Sequence, residues 1–288
     1  MTLPKNLRYR LEYVGFRLIQ AATVALPLET ASRWSGATWR LIAPRLYRQK
    51  RVLNNLALAY PDMPLDQRER IAADMWDNLG RTFVESFRIR KIMEEGRIEF
   101  ESQVQLDEMI RGGPCVVCGL HLGNWELVAY TGKLMGAPFT AVYQRLSNPY
   151  VDAATRKLRQ PLYDGRLLPK TPVTARALLK AAKQGGYPAF LADLRDDNGA
   201  PIPFFGTPAR STVFPALLAR TTGLPLYAGA AFRRPNVRFT ILVKRIPIPE
   251  TNDREADAVV ATAAMHKQFE AFIRDAPEQW MWAHRKWD

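Results

Sequence analysis

From Pro114 to the C-terminus, short apolar runs alternate with segments of helical periodicity, and this alternation restricts the fold more than any other feature of the chain. PCVVCGL, PFTAVYQ, YPAFLAD, PLYAGAAFRR and VRFTILVKRIPI, which begin at residues 114, 138, 187, 225 and 237, read as strands. Between and after them, residues 124–135, 150–159, 173–184, 213–222 and 253–275 read as helices, with Gly185 and Gly186 closing the third. Strands separated by helices predict the α/β class, with a mixed, largely parallel sheet and helices on both faces. A chain of 288 residues, 47% of them hydrophobic, can bury the core such a sheet requires.

The first third differs. Residues 1 to about 95 read as helical, and Pro64 opens a segment in which Ile71, Met75, Leu79, Phe83 and Phe87 recur every four residues. RIEFES is strand-like, and residues 103–111 form a short helix that Gly112 and Gly113 close. Charge divides the chain near residue 60. The net charge is +13, and residues 1–60 hold ten Lys and Arg against Glu12 and Glu29. Such a patch suits phosphate on nucleic acid, anionic lipid or an acidic partner.

Residues 11–28 are apolar but include Glu12, Arg17 and Gln20, and the uninterrupted part is short of the ~20 residues that span a bilayer. Trp34, Trp39 and Tyr47 then interleave with arginines, the composition of a helix lying in a membrane interface. Residues 1–60 are therefore expected to be a basic, amphipathic membrane-associated region. Residues 61–288 are expected to be the α/β domain with its leading helix.

Open α/β sheets form their sites where strands end at the carboxyl edge. His121, Arg145 and Asp193 fall at three such ends. Of three histidines in the chain, His121 stands in CGLHLGNWE, between a strand and a helical segment. Imidazole takes and returns a proton near neutral pH. Glu126, five positions on, is placed to bond one ring nitrogen, fix the tautomer and stabilise the imidazolium, with Gly119 and Gly123 clearing space for substrate. Whether Glu126 or Asp193 orients His121 is open at this level.

Cys115 and Cys118, three apart on a strand, face opposite sides of the sheet and read as buried thiols. His266 and His284 lack metal-ligand spacing, and no serine-nucleophile, Walker A or dinucleotide motif is present. Neither cofactor nor metal is expected. FFGTPARS carries Phe204, Phe205 and Arg210 as lining for a ligand groove or, for the two rings, as core. PEQWMWAHRKW reads equally as a cleft-closing tail and as an end docked on the sheet.

GLHLGNWE resembles the H-x4-D/E block of the bacterial lipid A late (lauroyl/myristoyl) acyltransferases, relatives of the glycerolipid acyltransferases. VLNNLALAYPDM, WDNLGRTFVE, VYQRLSNPYVD, FLADLRDDNGAPIPFFG and PEQWMWAHRKWD resemble further blocks of that family in the same order. The resemblance implies a glycerolipid-acyltransferase-like fold with His121 as general base and Glu126 as its partner. It makes Asn124, Arg145, Asn148, Asp193 and Arg195 candidate substrate-binding residues. Leu194 stands where relatives usually carry an amide.

The implied reaction moves a fatty acyl group from acyl carrier protein to a hydroxyl on an acyl chain of a lipid A precursor. It takes place at the cytoplasmic face of the bacterial inner membrane, on an anionic surface and without nucleic acid. Other glycolipids, aminolipids or lysophospholipids are the alternative acceptors. A non-enzymatic basic protein binding membrane or nucleic acid would account for the charge but not for the ordered blocks.

Overall fold

The structure, a computed structural model, describes residues 4–136, 139–163 and 166–287. Pro138, which opens one of the predicted strands, and Asp288 lie outside them. The chain begins with helices α1 (Lys5–Ala25), α2 (Leu28–Ile42), α3 (Arg48–Ala59), α4 (Leu65–Glu85) and α5 (Ile89–Glu94). The α/β part follows as β1 (Ile98–Phe100), α6 (Gln103–Arg111), β2 (Val116–Gly123), α7 (Tyr130–Leu134), β3 (Phe139–Tyr143) and α8 (Pro149–Tyr163). Next come β4 (Leu167–Pro169), α9 (Pro172–Lys183), β5 (Tyr187–Leu191), β6 (Arg195–Phe204) and β7 (Thr207–Ser211). Last are α10 (Phe214–Thr222), β8 (Leu226–Arg234), β9 (Arg238–Ile246) and α11 (Arg254–Asp275).

Seven strands form one sheet in the order β1-β9-β8-β2-β5-β3-β4. Every neighbouring pair is parallel except β8 and β9, which run antiparallel from Leu226↔Ile246 to Arg234↔Arg238. The mixed, largely parallel sheet expected from the alternation is present, and β2 lies at its centre. Its side chains alternate as a strand requires. Val116, Cys118, Leu120 and Leu122 pack into one core with α3, α4, α10 and α11. Cys115 and Val117 enter the opposite core with residues of α5, α6 and α8. The two thiols therefore face opposite sides, and burial pushes Cys115 up to about 12.

Two elements depart from the sequence reading. β4 adds an edge strand, and β6 pairs with β7 in a separate antiparallel ribbon closed by Phe205 and Gly206, both at positive φ. That pair of left-handed residues matches the right-handed twist of a tight hairpin. Phe205, unfavourable there by itself, is held by its N–H to Glu270 (2.7 Å) and by the Arg274 guanidinium over its ring. Phe204 and Phe205 are both core, which decides between the two readings of FFGTPARS.

The every-fourth-residue stripe of α4 is not one buried face. Four residues advance an α-helix by about 400°, so such a stripe drifts around the helix. Met75 is fully buried, whereas Phe83 is 37% exposed and packs on Phe87, which in turn packs on Phe16 of α1. The face of α4 turned to the sheet ends in Asn78, Thr82 and Glu85, all buried and polar.

α1 buries none of its residues and exposes Leu7, Leu11, Val14, Leu18 and Ile19. Its last carbonyls, orphaned as at every helix end, accept from Arg88 at Thr23 (2.8 Å) and Leu26 (2.6 Å). Among the described residues no helix is long and apolar enough to cross a membrane.

Candidate active site

β2 carries His121 near its carboxyl end, where the pairing with β8 is irregular. Gly119 opposes Gly229 and Gly123 opposes Ala231, so β2 spends two extra residues there. A strand that bulges re-aims its side chains. Gly123 ends the bulge at φ +59°, and a Cβ there would lie 2.0 Å from the Ala231 carbonyl oxygen. Glycine is thus required by the backbone at 123, not by substrate space; Gly119 is the glycine that lines the cleft. The Gly123 carbonyl accepts from Thr82 (2.9 Å) and Asn78 (3.3 Å), which ties the bulge to α4.

Asp193, one residue past Ala192 after β5, is buried and meets His121 twice. Its Oδ1 lies 2.8 Å from His121 Nδ1, and its Oδ2 accepts the His121 backbone N–H at 2.9 Å. Trp280 Nε1 also donates to Oδ2 at 2.9 Å. Burial acts to raise the Asp193 carboxyl. The His121 charge, the two His121 hydrogen bonds and the Trp280 bond outweigh it and hold the group well below the usual carboxylate range. An ionised carboxylate only accepts hydrogen bonds, so Nδ1 carries the proton and Nε2 of the neutral ring keeps its lone pair. The carboxylate on the imidazole is therefore that of Asp193.

Glu126 is elsewhere. Residues Trp125–Ala129 form a 3₁₀ turn rather than the start of an α-helix, and Glu126 pairs with Arg159 of α8 at 2.6 Å. The expectation that Glu126 fixes the His121 tautomer is corrected by this geometry. Glu126 and Arg159 instead stand together in the wall of the cleft.

The remaining candidates separate in the same way. Asn124 is fully buried and donates to Glu85 at 3.1 Å, beneath the bulge and away from the cleft. Glu85 also takes Ser32 (2.7 Å) and an Arg233 ion pair. Asn148 caps α8, accepting from Tyr150 N–H (3.0 Å) and Val151 N–H (3.4 Å). Its amide group donates to Tyr9 O (2.8 Å) and Glu12 (2.9 Å), which clamps α1 onto α8. Arg145 is exposed and outside the cleft lining, whereas its neighbours Gln144 and Leu146 belong to it. Arg195 lines the cleft and pairs with Asp197 at 2.6 Å.

The cleft encloses about 700 Å³ at the carboxyl ends of β2, β3 and β5. Val117, Ala141 and Ala189 line it on one face of the sheet, and Leu178 and Phe190 on the other. A cleft of that size and lining suits a largely apolar ligand.

The C-terminal tail both docks on the sheet and closes the cleft. Trp280 bridges to Leu122, Met281 N–H donates to His121 O at 2.9 Å, and Trp282 is fully buried. Met281 and His284 reach the cleft, and the His284 ring lies 4.9 Å from that of His121. Burial, then the His121 charge, lowers His284 to about 4. Farther inside, Lys286 Nζ meets Ser211 (2.8 Å) and His266 Nε2 (3.2 Å). Burial lowers Lys286 to about 8, and burial with the Lys286 charge lowers His266 to about 3.

These shifts have a sign in stability. His266 and His284 titrate lower in the fold than in the unfolded chain, so below about pH 6.5 the unfolded chain binds protons that the fold refuses. Stability is expected to fall on acidification from pH 6.5 to 4, by up to about 1.4 kcal/mol per pH unit for each imidazole. Lys286 makes stability rise with pH above about 8, until the buried thiols, which ionise first in the unfolded chain, reverse the trend. Urea denaturation midpoints across pH 4–10 check this. A flat acid limb would contradict it.

An imidazole oriented by a buried carboxylate, at the strand ends of an α/β sheet and beside an apolar cleft, has the geometry to take a proton from the hydroxyl of an apolar ligand. The comparison with known proteins agrees. The chain belongs to the family described as bacterial lipid A biosynthesis acyltransferase, which it matches over residues 4–288. It is 26% identical to the lipid A biosynthesis lauroyltransferase of Escherichia coli strain K12, over 97% of this chain and 92% of that one. It is 25% identical to the palmitoleoyltransferase of the same strain, over 97% and 91% of the two chains. The myristoyltransferase of that strain is also 25% identical, over 81% of this chain and 73% of its own. The protein is an acyltransferase of lipid A biosynthesis.

Sequence reasoning left open whether the tail closes the cleft or docks on the sheet and did not single out Trp280 or His284, and it missed the polar face Asn78-Thr82-Glu85 beneath it. The last had a visible signal, since three polar residues at i, i+4 and i+7 lie on one helix face.

Proposed function

We propose that the enzyme transfers a fatty acyl group from the thioester of acyl carrier protein to a hydroxyl on an acyl chain of a phosphorylated lipid A precursor. The observation that carries this reading is the His121–Asp193 pair at the edge of an apolar cleft. His121 Nε2 accepts the hydroxyl proton while the oxygen attacks the thioester carbonyl carbon. Asp193 holds the ring and stabilises the imidazolium. The tetrahedral intermediate then expels the carrier thiolate, the ester bond replaces the thioester, and the imidazolium returns its proton to sulfur. The site residues keep these roles as proposals: His121 base, Asp193 orienting group, Glu126 and Arg159 cleft wall, Arg195 a cation at the mouth.

Residues 1–60 are the membrane-associated part, on the cytoplasmic face of the inner membrane. Support comes from α1, whose apolar side chains are exposed and which Asn148 clamps to α8, a wall of the cleft. A lipid entering from the bilayer would then arrive beside His121. Basic residues there favour an anionic surface.

The test supplies purified protein with acyl carrier protein thioester and the phosphorylated disaccharide precursor, and reads acyl addition by mass spectrometry. One added acyl chain is expected, and His121→Ala is expected to lower the rate roughly 10²- to 10⁴-fold. An undiminished rate in that variant would refute the assigned base.

A further inference from the structure

A second concavity lies behind the tail. It encloses about 660 Å³ between α3 and the C-terminal segment, and Tyr47, Lys50, Arg51, Asn54, Arg285 and Trp287 line it. Among the described residues none of those lining it is acidic. Lys50, Arg51 and Asn54 share one face of α3, as their spacing dictates. The first turn of that helix reads Arg48-Gln49-Lys50-Arg51, with no acidic residue and no side-chain cap. A helix N-terminus already carries positive partial charge, so three cations in its first turn are mutually unfavourable until an anion joins them. Trp287 is 5% exposed, and its indole Nε1 has no hydrogen-bond partner among the described residues.

The groove is joined to the active site through one strand of chain. Asn55 of α3 donates to Trp282 O and His284 O, both at 2.8 Å, and Arg51 donates to Ala283 O at 3.5 Å. The other side of this segment places the His284 ring against His121. Leu58 in the groove, with Leu41, Ile42, Leu46 and Tyr47 on neighbouring elements, is exposed. Cations beside exposed apolar side chains are the composition of a membrane interface, where phosphate headgroups lie.

We propose that the groove between α3 and the tail binds the phosphate group of a membrane lipid. This deepens the proposed function, because it rests on the acceptor being a phosphorylated lipid, and it gives the charge excess of the first 60 residues a defined site. The concavity holds one headgroup, and its apolar surroundings favour a lipid over the acidic helix of a carrier protein.

The test measures flotation with phosphatidylcholine vesicles doped with phosphatidic acid or, at the same mole fraction, diacylglycerol. Every protein carries His121→Gln, so binding is read without turnover and stands apart from the transfer assay. Preference for phosphatidic acid is expected to fall about tenfold in Lys50→Glu, the scale of one to two charges meeting an anionic surface. Asn54→Asp, which leaves the helix packing in place, is expected to weaken it in the same direction. Lys267→Glu, an equal charge change at an exposed position of α11, is expected to keep the preference. Equal losses in Lys50→Glu and Lys267→Glu would overturn the proposal in favour of diffuse attraction. Equal affinity for inorganic phosphate in solution would overturn the lipid assignment. So would Lys50-dependent capture of acyl carrier protein with vesicle binding unchanged.

Discussion

Asp193→Asn is expected to lower kcat by about 10³- to 10⁴-fold while KM changes little. The asymmetry follows from where the carboxylate sits. Asp193 is outside the cleft lining, and among the described residues its hydrogen bonds go to His121 and Trp280, so substrate binding is not expected to depend on it. One oxygen receives two N–H donors, from the His121 backbone and the Trp280 indole, and the other faces Nδ1. Asparagine keeps the first set with its carbonyl oxygen and turns its NH₂ group toward Nδ1. The ring must then accept at Nδ1 and carry its proton on Nε2, which leaves no lone pair for the hydroxyl. Initial rates of acyl transfer against acceptor concentration separate kcat from KM, and a melting curve shows that the isosteric variant is folded. A variant within tenfold of the parent rate would remove Asp193 from the proposed mechanism.

The identity of that partner marks where sequence reasoning ended. The alternation of apolar runs predicted the parallel sheet because strand and helix periods are local properties, visible in one window. It placed His121 and Asp193 at strand ends for the same reason. Choosing between Glu126 and Asp193 required two things with no local signature: the two-residue bulge in β2 and the 3₁₀ turn after it. A 3₁₀ turn has 3.0 residues per turn against 3.6, so a carboxylate five residues on from the histidine points elsewhere than an α-helix would send it. Asn124 and Asn148 were candidate binding residues because they stand in blocks that resemble those of the family. Each is instead held within the fold, one by the Glu85 carboxylate under the bulge and one capping α8 against α1. The tail was legible as three tryptophans, but its contact with His121 joins residues about 160 apart in sequence, a pairing that only the tertiary fold defines.

Glu126→Ala is expected to destabilise the enzyme by about 1–3 kcal/mol, the consequence of stranding one member of a partly buried ion pair. Arg159 would be that member: its guanidinium meets Glu126 at 2.6 Å, and Glu126 is only 5% exposed. In a chain of this length such a loss corresponds to a fall in Tm of roughly 5 °C. Glu126→Ala with Arg159→Met is expected to recover more than half of the lost stability, because a flexible apolar side chain fills the space and no charge is left unpaired. A second pair of variants distinguishes the two carboxylates of the site. Glu126 makes no hydrogen bond to the His121 ring, so Glu126→Gln is expected to leave the acid limb of the pH–rate profile in place, whereas Asp193→Asn moves it. Melting curves of the single and double variants, with rates across the pH range, check both statements. A double variant no more stable than Glu126→Ala would show that the ion pair is not what Glu126 contributes. An acid limb displaced in Glu126→Gln would return this residue to the imidazole.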